Sequence, residues 1–145
     1  MKDRRAFYRQ GLSDLYLPYY DALCDELNDE WHPVQGFRSF EDQHKLYTQN
    51  LHVTNADAGE SSHNYGCGSD WVRIVDGRFY WGLDPCVWEP YFQALEKLGL
   101  KSLKQQGDFG HNELLLNRSW KDILEAYNQG GIRDAYDLIR DSLVT

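Results

Sequence analysis

The stretch that organises this chain is residues 61–81, SSHNYGCGSDWVRIVDGRFYW. Its first half places His63 and Asp70 seven residues apart around a small glycine-bearing turn. A neutral imidazole and a carboxylate are good ligands for a divalent metal, zinc above all. Its second half sets Asp76-Gly77 between two β-prone runs, which predicts a hairpin with a type I′ turn. Asp70 stands just before this hairpin, which would hold its carboxylate rigidly.

Apolar residues at helical spacing lie on both sides of this stretch. Helices are predicted to begin at Pro18, after Ser39, at Asp84-Pro85, after Ser119 and at Ile132. Short strands are predicted over residues 34–37 and 111–116, a loop over 101–110, and a lead-in with one turn of helix over 1–16. The fold class predicted is α+β, with a small, mostly antiparallel sheet flanked by helices.

The second predicted helix carries a histidine that is not assigned to the metal. Phe40, His44, Tyr47 and Leu51 fall on one face of this helix. Because that face is mostly apolar, His44 is interpreted as a packed or half-buried histidine.

Three aromatic side chains, Tyr65, Trp71 and Trp81, could line a groove for a peptide or a sugar. Aromatic residues at strand positions are more typical of a core, so the core interpretation is favoured for all three. Cys67 lies inside the histidine–aspartate stretch but has the wrong spacing for a ligand beside His63, and it is interpreted as a packed thiol.

Composition excludes several classes of protein. The chain has 145 residues and a formal net charge of −8, which argues against a nucleic-acid binder. Its three cysteines include no C-x-x-C pair, so we do not expect a disulfide framework. We expect instead that the chain is made in a reducing compartment. No signal peptide and no transmembrane stretch are recognised, so we expect synthesis in the cytoplasm. One domain over residues 1–145 and a monomer are the default expectations.

A metal site needs a third ligand, and His111 is the candidate. Asp108 lies three residues before it in Gly107-Asp108-Phe109-Gly110-His111. Two histidines and an aspartate would leave a fourth position open, as catalytic zinc requires, and Asp108 could then serve as a general base. Each pair also arises by chance: Asp108 could be a loop-capping carboxylate and His111 a satisfied strand histidine. The residues alone leave both interpretations open.

Three motifs, taken together, resemble one family. Ser61-x-His63-x-x-Gly66-x-Gly68-x-Asp70 resembles the S-x-H-x-x-G-x-A-x-D signature of the zinc D-Ala-D-Ala carboxypeptidases and L-alanyl-D-glutamate peptidases (peptidase family M15, the LAS group). The 107–111 segment resembles the second motif of that family, and Gly36-Phe37-Arg38-Ser39 resembles an element upstream. The resemblance covers residues 12–117. It implies an LAS or Hedgehog-like zinc peptidase fold, with the predicted C-terminal helices (119–144) packed on that core.

The resemblance also implies residue roles. Zinc would be held by His63, Asp70 and His111, and Asp108 would be the base that activates water. Arg38 would bind or polarise the substrate, although an arginine capping a strand-to-helix turn is the structural alternative. Ser61 would support the substrate or the metal shell, with a simple loop hydrogen bond as the equal alternative.

The implied activity is cleavage of a peptide bond in bacterial peptidoglycan. An aspartate at position 108 and the compact layout favour an L-alanyl-D-glutamate endopeptidase of the phage endolysin type. Such an enzyme would act on stem peptides of the cell wall after release through a holin-type pore. A D,D-dipeptidase or D,D-carboxypeptidase acting on D-Ala-D-Ala is the alternative enzyme, and a non-catalytic zinc-containing wall-binding module is the alternative of another class.

The sequence departs from the family pattern in three places. Gly68 replaces the usual alanine, a change of small for small that is expected to matter little. Asn112 replaces the aromatic residue often found after the last histidine. Residues 101–106, KSLKQQ, replace a tryptophan-rich, double-glycine run. This segment is predicted to line the groove and to decide which peptide is cut.

Overall fold

A central antiparallel sheet with helices around it forms the architecture. The computed structural model describes residues 2–49 and 54–144. The helices are α1 (Lys2–Arg9), α2 (Leu17–Glu26), α3 (Phe40–Thr48), α4 (Pro85–Leu98), α5 (Trp120–Gly130) and α6 (Ile132–Ser142). The strands are β1 (Trp31–Gln35), β2 (Gly68–Val75), β3 (Arg78–Tyr80), β4 (Lys101–Leu103) and β5 (Asp108–Glu113). Short 3-10 turns cover Ser62–Tyr65 and Lys104–Gln106. The predicted α+β class is confirmed.

Strand β2 is the centre of the sheet. The strand order is β1-β2-β5-β4, with β3 pairing β2 off this path, and the named pairs are antiparallel. Strand β5 pairs with residues 68–70 of β2, and β3 pairs with residues 73–75. In this register Asp70 lies directly opposite His111. The two ends of the predicted motifs therefore meet as neighbours across one pair of strands.

The predicted hairpin is confirmed. Asp76 (φ 53°) and Gly77 (φ 76°) both have positive φ, as a type I′ turn requires, and they join β2 to β3. Asp70 lies inside β2 rather than just before it, because the pairing with β5 extends the strand back to Gly68.

The predicted helix caps are also observed. The Ser39 hydroxyl accepts a hydrogen bond from the Asp42 amide at 3.0 Å, and Ser119 forms a capping box with Asp122. Gly99 ends α4 in the left-handed conformation, with φ at 73°.

Two segments were predicted wrongly because distant contacts stabilise them. The lead-in contains α1, whose Arg5 guanidinium donates to the carbonyl groups of Cys24, Leu27, Asn28 and Trp31. The predicted 101–110 loop contains β4, a 3-10 turn and the start of β5. Strand β4 is three residues long and largely polar, so no local pattern marks it.

The buried face of α3 also differs from the prediction. His44 and Tyr47 are exposed, so the packed-histidine interpretation is wrong. The fully buried residue is Gln43, whose side-chain amide donates to the Ala56 carbonyl at 2.7 Å and holds the following loop. Leu51 lies outside the described residues.

The core is rich in aromatic residues. Tyr65, Trp71 and Cys67 are buried, as predicted, whereas Trp81 is 67% exposed and the core interpretation is wrong for it. Helices α5 and α6 add Ile123, Ala135 and Ile139 to the same hydrophobic cluster. No helix within the described ranges combines the length and the apolar character that crossing a membrane would need.

Candidate metal centre and cleft

The first candidate ligand, His63, is held in the 3-10 turn at residues 62–65. The Ser61 hydroxyl accepts a hydrogen bond from the His63 amide at 3.3 Å, and Gly66 ends the turn with φ at 65°. The His63 ring places Nδ1 2.8 Å from the Gly36 carbonyl oxygen. A donor at Nδ1 fixes the tautomer and leaves Nε2 as a lone-pair ligand.

The second and third candidate ligands meet this imidazole across the β2–β5 pair. One Asp70 carboxylate oxygen lies 3.3 Å from His63 Nε2, and the other lies 2.9 Å from His111 Nδ1. The three ligand atoms all lie within 4.8 Å of one another. The structure therefore brings together His63, Asp70 and His111. Two imidazole nitrogens and one carboxylate oxygen are a donor set that fits zinc with a fourth position open.

An irregularity in β5 directs Asp108 toward the same side as His111. Residues three apart on a regular strand point to opposite faces. Here the register jumps: Ser102 lies opposite Asn112, but the next residue, Leu103, lies opposite Asp108. This bulge re-aims the Asp108 side chain, which lines the cleft without joining the three-residue cluster.

Gly110 makes the bulged strand possible. A Cβ built on this residue would lie 2.3 Å from the backbone oxygen of Trp71, so a side chain would force β5 away from β2. The Tyr91 hydroxyl donates to the Gly110 carbonyl at 2.5 Å and fixes the bulge from the other face.

Arg38 and Ser61 both line the cleft. The Arg38 amide donates to the His63 carbonyl at 3.0 Å, and its guanidinium donates to the side-chain oxygen of Gln43 at 2.8 Å. Arg38 is thus half-buried and joined to the turn that carries His63. Ser61 caps that turn, which corresponds to the loop hydrogen bond considered for it, while its place in the cleft wall is compatible with a substrate contact.

The sequence interpretation missed Glu113. This residue is only 5% exposed, and its carboxylate oxygens accept hydrogen bonds from His111 Nε2 at 2.6 Å and from the Trp120 indole at 2.5 Å. A carboxylate behind a metal-binding histidine fixes the tautomer and makes the imidazole a better ligand. The available signal was the spacing: His111-x-Glu113 on a strand places both side chains on one face.

Electrostatics around the cluster favour charged pairs in the metal-free protein. Burial opposes the charged form of His111, but hydrogen bonds to Asp70 and Glu113 outweigh it and raise its pKa to about 10. Burial likewise opposes ionisation of Asp70, yet the two histidines hold its pKa well below the usual range. Burial and the Asp70 charge raise the pKa of Asp108, which makes its carboxylate a better proton acceptor.

A buried polar network supports the opposite face of the same strand pair. Asn112, opposite Ser69 in the register, donates from its side chain to the Ser69 hydroxyl at 3.0 Å and to the Tyr91 hydroxyl at 2.9 Å. The Tyr16 hydroxyl donates to the Asn112 side-chain oxygen. Asn112 thus replaces the aromatic residue of the family pattern at a place where neighbouring hydroxyl groups form hydrogen bonds with its side-chain amide.

The prediction that glycine in place of alanine at position 68 matters little is wrong. A Cβ at this position would lie 2.5 Å from the Ser62 hydroxyl oxygen and 2.8 Å from the backbone oxygen of Asn112. The alanine of the family pattern does not fit here unless its neighbours move.

An open cleft of about 810 Å³ surrounds the candidate centre. Its wall includes Lys101, Leu103, Gln106 and Gly107, so the prediction that the 101–106 segment lines the groove is confirmed. Lys121, at the start of α5, lines the cleft as well.

Fold and site define an α+β protein with a candidate His–Asp–His metal centre in an open cleft. A scan against protein-family models gives no match. Over 101 residues the chain is 32% identical to the peptidoglycan L-alanyl-D-glutamate endopeptidase CwlK of Bacillus subtilis (strain 168), an alignment that covers 58% of this chain and 60% of CwlK. The chain thus spans about three fifths of the length of this relative.

A solved structure shares the fold. The crystal structure of the Serratia marcescens L-Ala D-Glu endopeptidase ChiX matches with a TM-score of 0.60 at 17% identity, covering 79% of this chain and 89% of ChiX. ChiX therefore shows the fold, and CwlK is by name an L-alanyl-D-glutamate endopeptidase, one of the activities of the family that the motifs resemble.

Proposed function

We propose that this chain is a zinc-dependent endopeptidase that cleaves the L-alanyl–D-glutamate bond of peptidoglycan stem peptides. The observation that carries the proposal is the convergence of His63, Asp70 and His111 within 4.8 Å, in a cleft that Asp108 also lines. The homology to CwlK, whose name gives this activity, supports the choice of bond. Release through a holin-type pore, an endolysin role and a monomeric state remain parts of the proposal.

In this mechanism the chain's own residues position the reactants and move the proton. His63 Nε2, His111 Nδ1 and an Asp70 oxygen would hold the metal, with Gly36 and Glu113 fixing the two imidazoles. Zinc, when bound, supplies Lewis acidity that polarises a carbonyl group and acidifies water. The Asp108 carboxylate takes a proton from the attacking water and returns it to the leaving amine.

Arg38 is assigned to the substrate. Its guanidinium lies in the cleft wall and is oriented by Gln43, so it can donate to a carbonyl oxygen that gains negative charge during attack. Burial lowers the pKa of Arg38, while the charges of Asp70, Asp42 and Asp108 oppose that effect. A guanidinium stays charged across the working range of any peptidase.

The decisive experiment is Asp108→Asn, assayed on purified muropeptides. Loss of the proton acceptor is expected to lower turnover by about 10²- to 10⁴-fold. Zinc content should be unchanged, because Asp108 is not in the three-residue cluster. The exposed Asp25 on α2 provides the matched control, Asp25→Asn, with unchanged activity. Undiminished turnover in Asp108→Asn would refute the assigned mechanism.

The products distinguish the alternatives. A new N-terminal D-glutamate supports the proposed bond, whereas released D-alanine would indicate the D,D-dipeptidase or D,D-carboxypeptidase. Zinc binding without cleavage of any stem peptide would indicate a wall-binding module. Activity should disappear on chelation and dialysis and return with added zinc; lysis that survives complete chelation would rule out the metal role of the three ligands.

A further inference from the structure

The segment that departs from the family pattern places a lysine over the cleft. Lys101 on β4 lies directly opposite Glu113 on β5, and opposed residues of an antiparallel pair point to the same face. Glu113 follows His111 by two residues, so Lys101 faces the side of the sheet that carries the candidate centre. With strands about 4.8 Å apart and about 3.4 Å per residue, the Cα atoms of Lys101 and His111 lie about 8 Å apart.

A second lysine reaches the cleft from α5. Lys121 follows Trp120, whose indole donates to Glu113, and it lines the same cleft as Lys101. Its ammonium is 4.0 Å from a Glu60 oxygen, and its side chain is 74% exposed. Such a loose, solvated contact leaves the ammonium free to bind another anion.

The charge of the cleft favours an anionic ligand although the chain carries a net charge of −8. Three cationic side chains, those of Arg38, Lys101 and Lys121, line it. The wall also contains four carboxylates: Asp70 is paired with two histidines, Glu113 accepts from His111 and Trp120, Glu60 lies near Lys121, and Asp108 faces the cleft. A divalent metal at the centre would add two positive charges to the three cationic side chains, and the positive charge would then exceed that of the four carboxylates.

We propose that Lys101 and Lys121 form a subsite that binds the free carboxylate of the residue directly after the scissile bond. This inference rests on the proposed function. In a stem peptide the D-glutamate continues the chain through its side-chain carboxyl group, so its α-carboxylate remains free. That carboxylate carbon lies about 2.5 Å from the scissile nitrogen, two bonds of about 1.5 Å away. Both ammonium side chains are long and flexible and lie in the cleft wall, and the Cα atom of Lys101 is about 8 Å from that of His111, so they can reach it.

The test compares two synthetic muropeptides that differ in one group: the α-carboxylate of D-glutamate or its α-carboxamide. The zinc-loaded protein should cleave the carboxylate form with a kcat/KM about tenfold higher, since each exposed ion pair accounts for about threefold to fivefold. In the double variant Lys101→Met, Lys121→Met this preference should fall to about onefold. The control is Lys104→Met: this lysine belongs to the same segment, but its ammonium lies 4.8 Å from the Phe92 ring centroid.

A binding measurement makes the test independent of turnover. Calorimetry with the product peptide should show the same preference for an N-terminal D-glutamate over D-isoglutamine, and the double variant should lose it. Cleavage of both muropeptides with equal kcat/KM, or equal binding of both products, would overturn the subsite. Selective binding with no cleavage of either muropeptide would uphold the subsite while overturning the proposed peptidase activity. Both lysines are exposed, so circular dichroism should show that the double variant folds normally.

Discussion

Replacing Gly68 by the alanine of the family pattern should destabilise this protein. The backbone of Gly68 does not have a positive φ, so alanine is conformationally allowed and the effect is steric. The new Cβ would lie 2.5 Å from the Ser62 hydroxyl oxygen and 2.8 Å from the Asn112 carbonyl oxygen. A hydroxyl can rotate away, but the carbonyl belongs to β5, and moving it widens the β2–β5 pair beside Asp70 and His111.

The size of the effect follows from two opposing contributions. Overpacking of this kind costs about 1–3 kcal/mol, while replacing glycine by alanine restricts the unfolded chain and returns about 0.4–1 kcal/mol. The free energy of unfolding should therefore fall by about 1–2 kcal/mol. For a chain of 145 residues this lowers Tm by about 3–6 °C.

A double-mutant cycle with Ser62→Ala separates the two contacts. Urea unfolding of the four proteins, each zinc-free, gives the free energies of unfolding. The cost of Gly68→Ala should be smaller in the Ser62→Ala background, because only the carbonyl contact remains. A Gly68→Ala protein as stable as the wild type, or more stable, would refute the steric argument.

Two further predictions concern buried side chains on strands of the sheet. Glu113→Gln should weaken zinc binding about 10- to 100-fold, because an amide can no longer accept from both His111 and Trp120. Zinc affinity is measured by chelator competition at high pH, where His111 is already neutral. The exposed Glu125→Gln is the control, and equal affinities would show that Glu113 does not act through His111. His32 is buried with no hydrogen-bond partner for Nδ1 among the described residues, and burial, with Arg4 and Arg5, lowers its pKa. The stability that the neutral His32 imidazole contributes is therefore present above pH of about 6.5 and is lost as the pH falls below that value. Tm should drop more steeply between pH 7 and 5 in the wild type than in His32→Gln. Parallel curves of Tm against pH would contradict this.

The parts of the fold that the sequence predicted are those fixed by local chemistry. Asp76-Gly77 determines a turn type, and Ser39, Ser119 and Gly99 determine helix ends, whatever the rest of the chain does. Strand β4 and helix α1 depend on partners far along the chain. The Arg5 side chain stabilises α1 through carbonyl groups some 20 residues away, and no local pattern contains that information.

The candidate site divides in the same way. The spacing of His63, Asp70 and His111 within known motifs was sufficient to predict their convergence. The place of Asp108 on a bulged strand depends on Gly110 and on the register with β4, which no pair of residues in the sequence specifies. Glu113 could have been found from its two-residue spacing to His111, but its partner on α5 lies beyond the motifs that carried the resemblance.

The direct pairing of Asp70 with His111 makes a metal centre sensitive to strand alignment. A slip of β5 by one residue along β2 would turn His111 to the face now occupied by Asn112, and the cluster would vanish. A metal that binds only the correctly aligned sheet lowers the free energy of that alignment alone, by an amount that grows with metal concentration. Metal binding would then report correct assembly. A molecule folded out of register lacks the metal site, whereas a molecule that binds metal already has the β2–β5 alignment that the site requires.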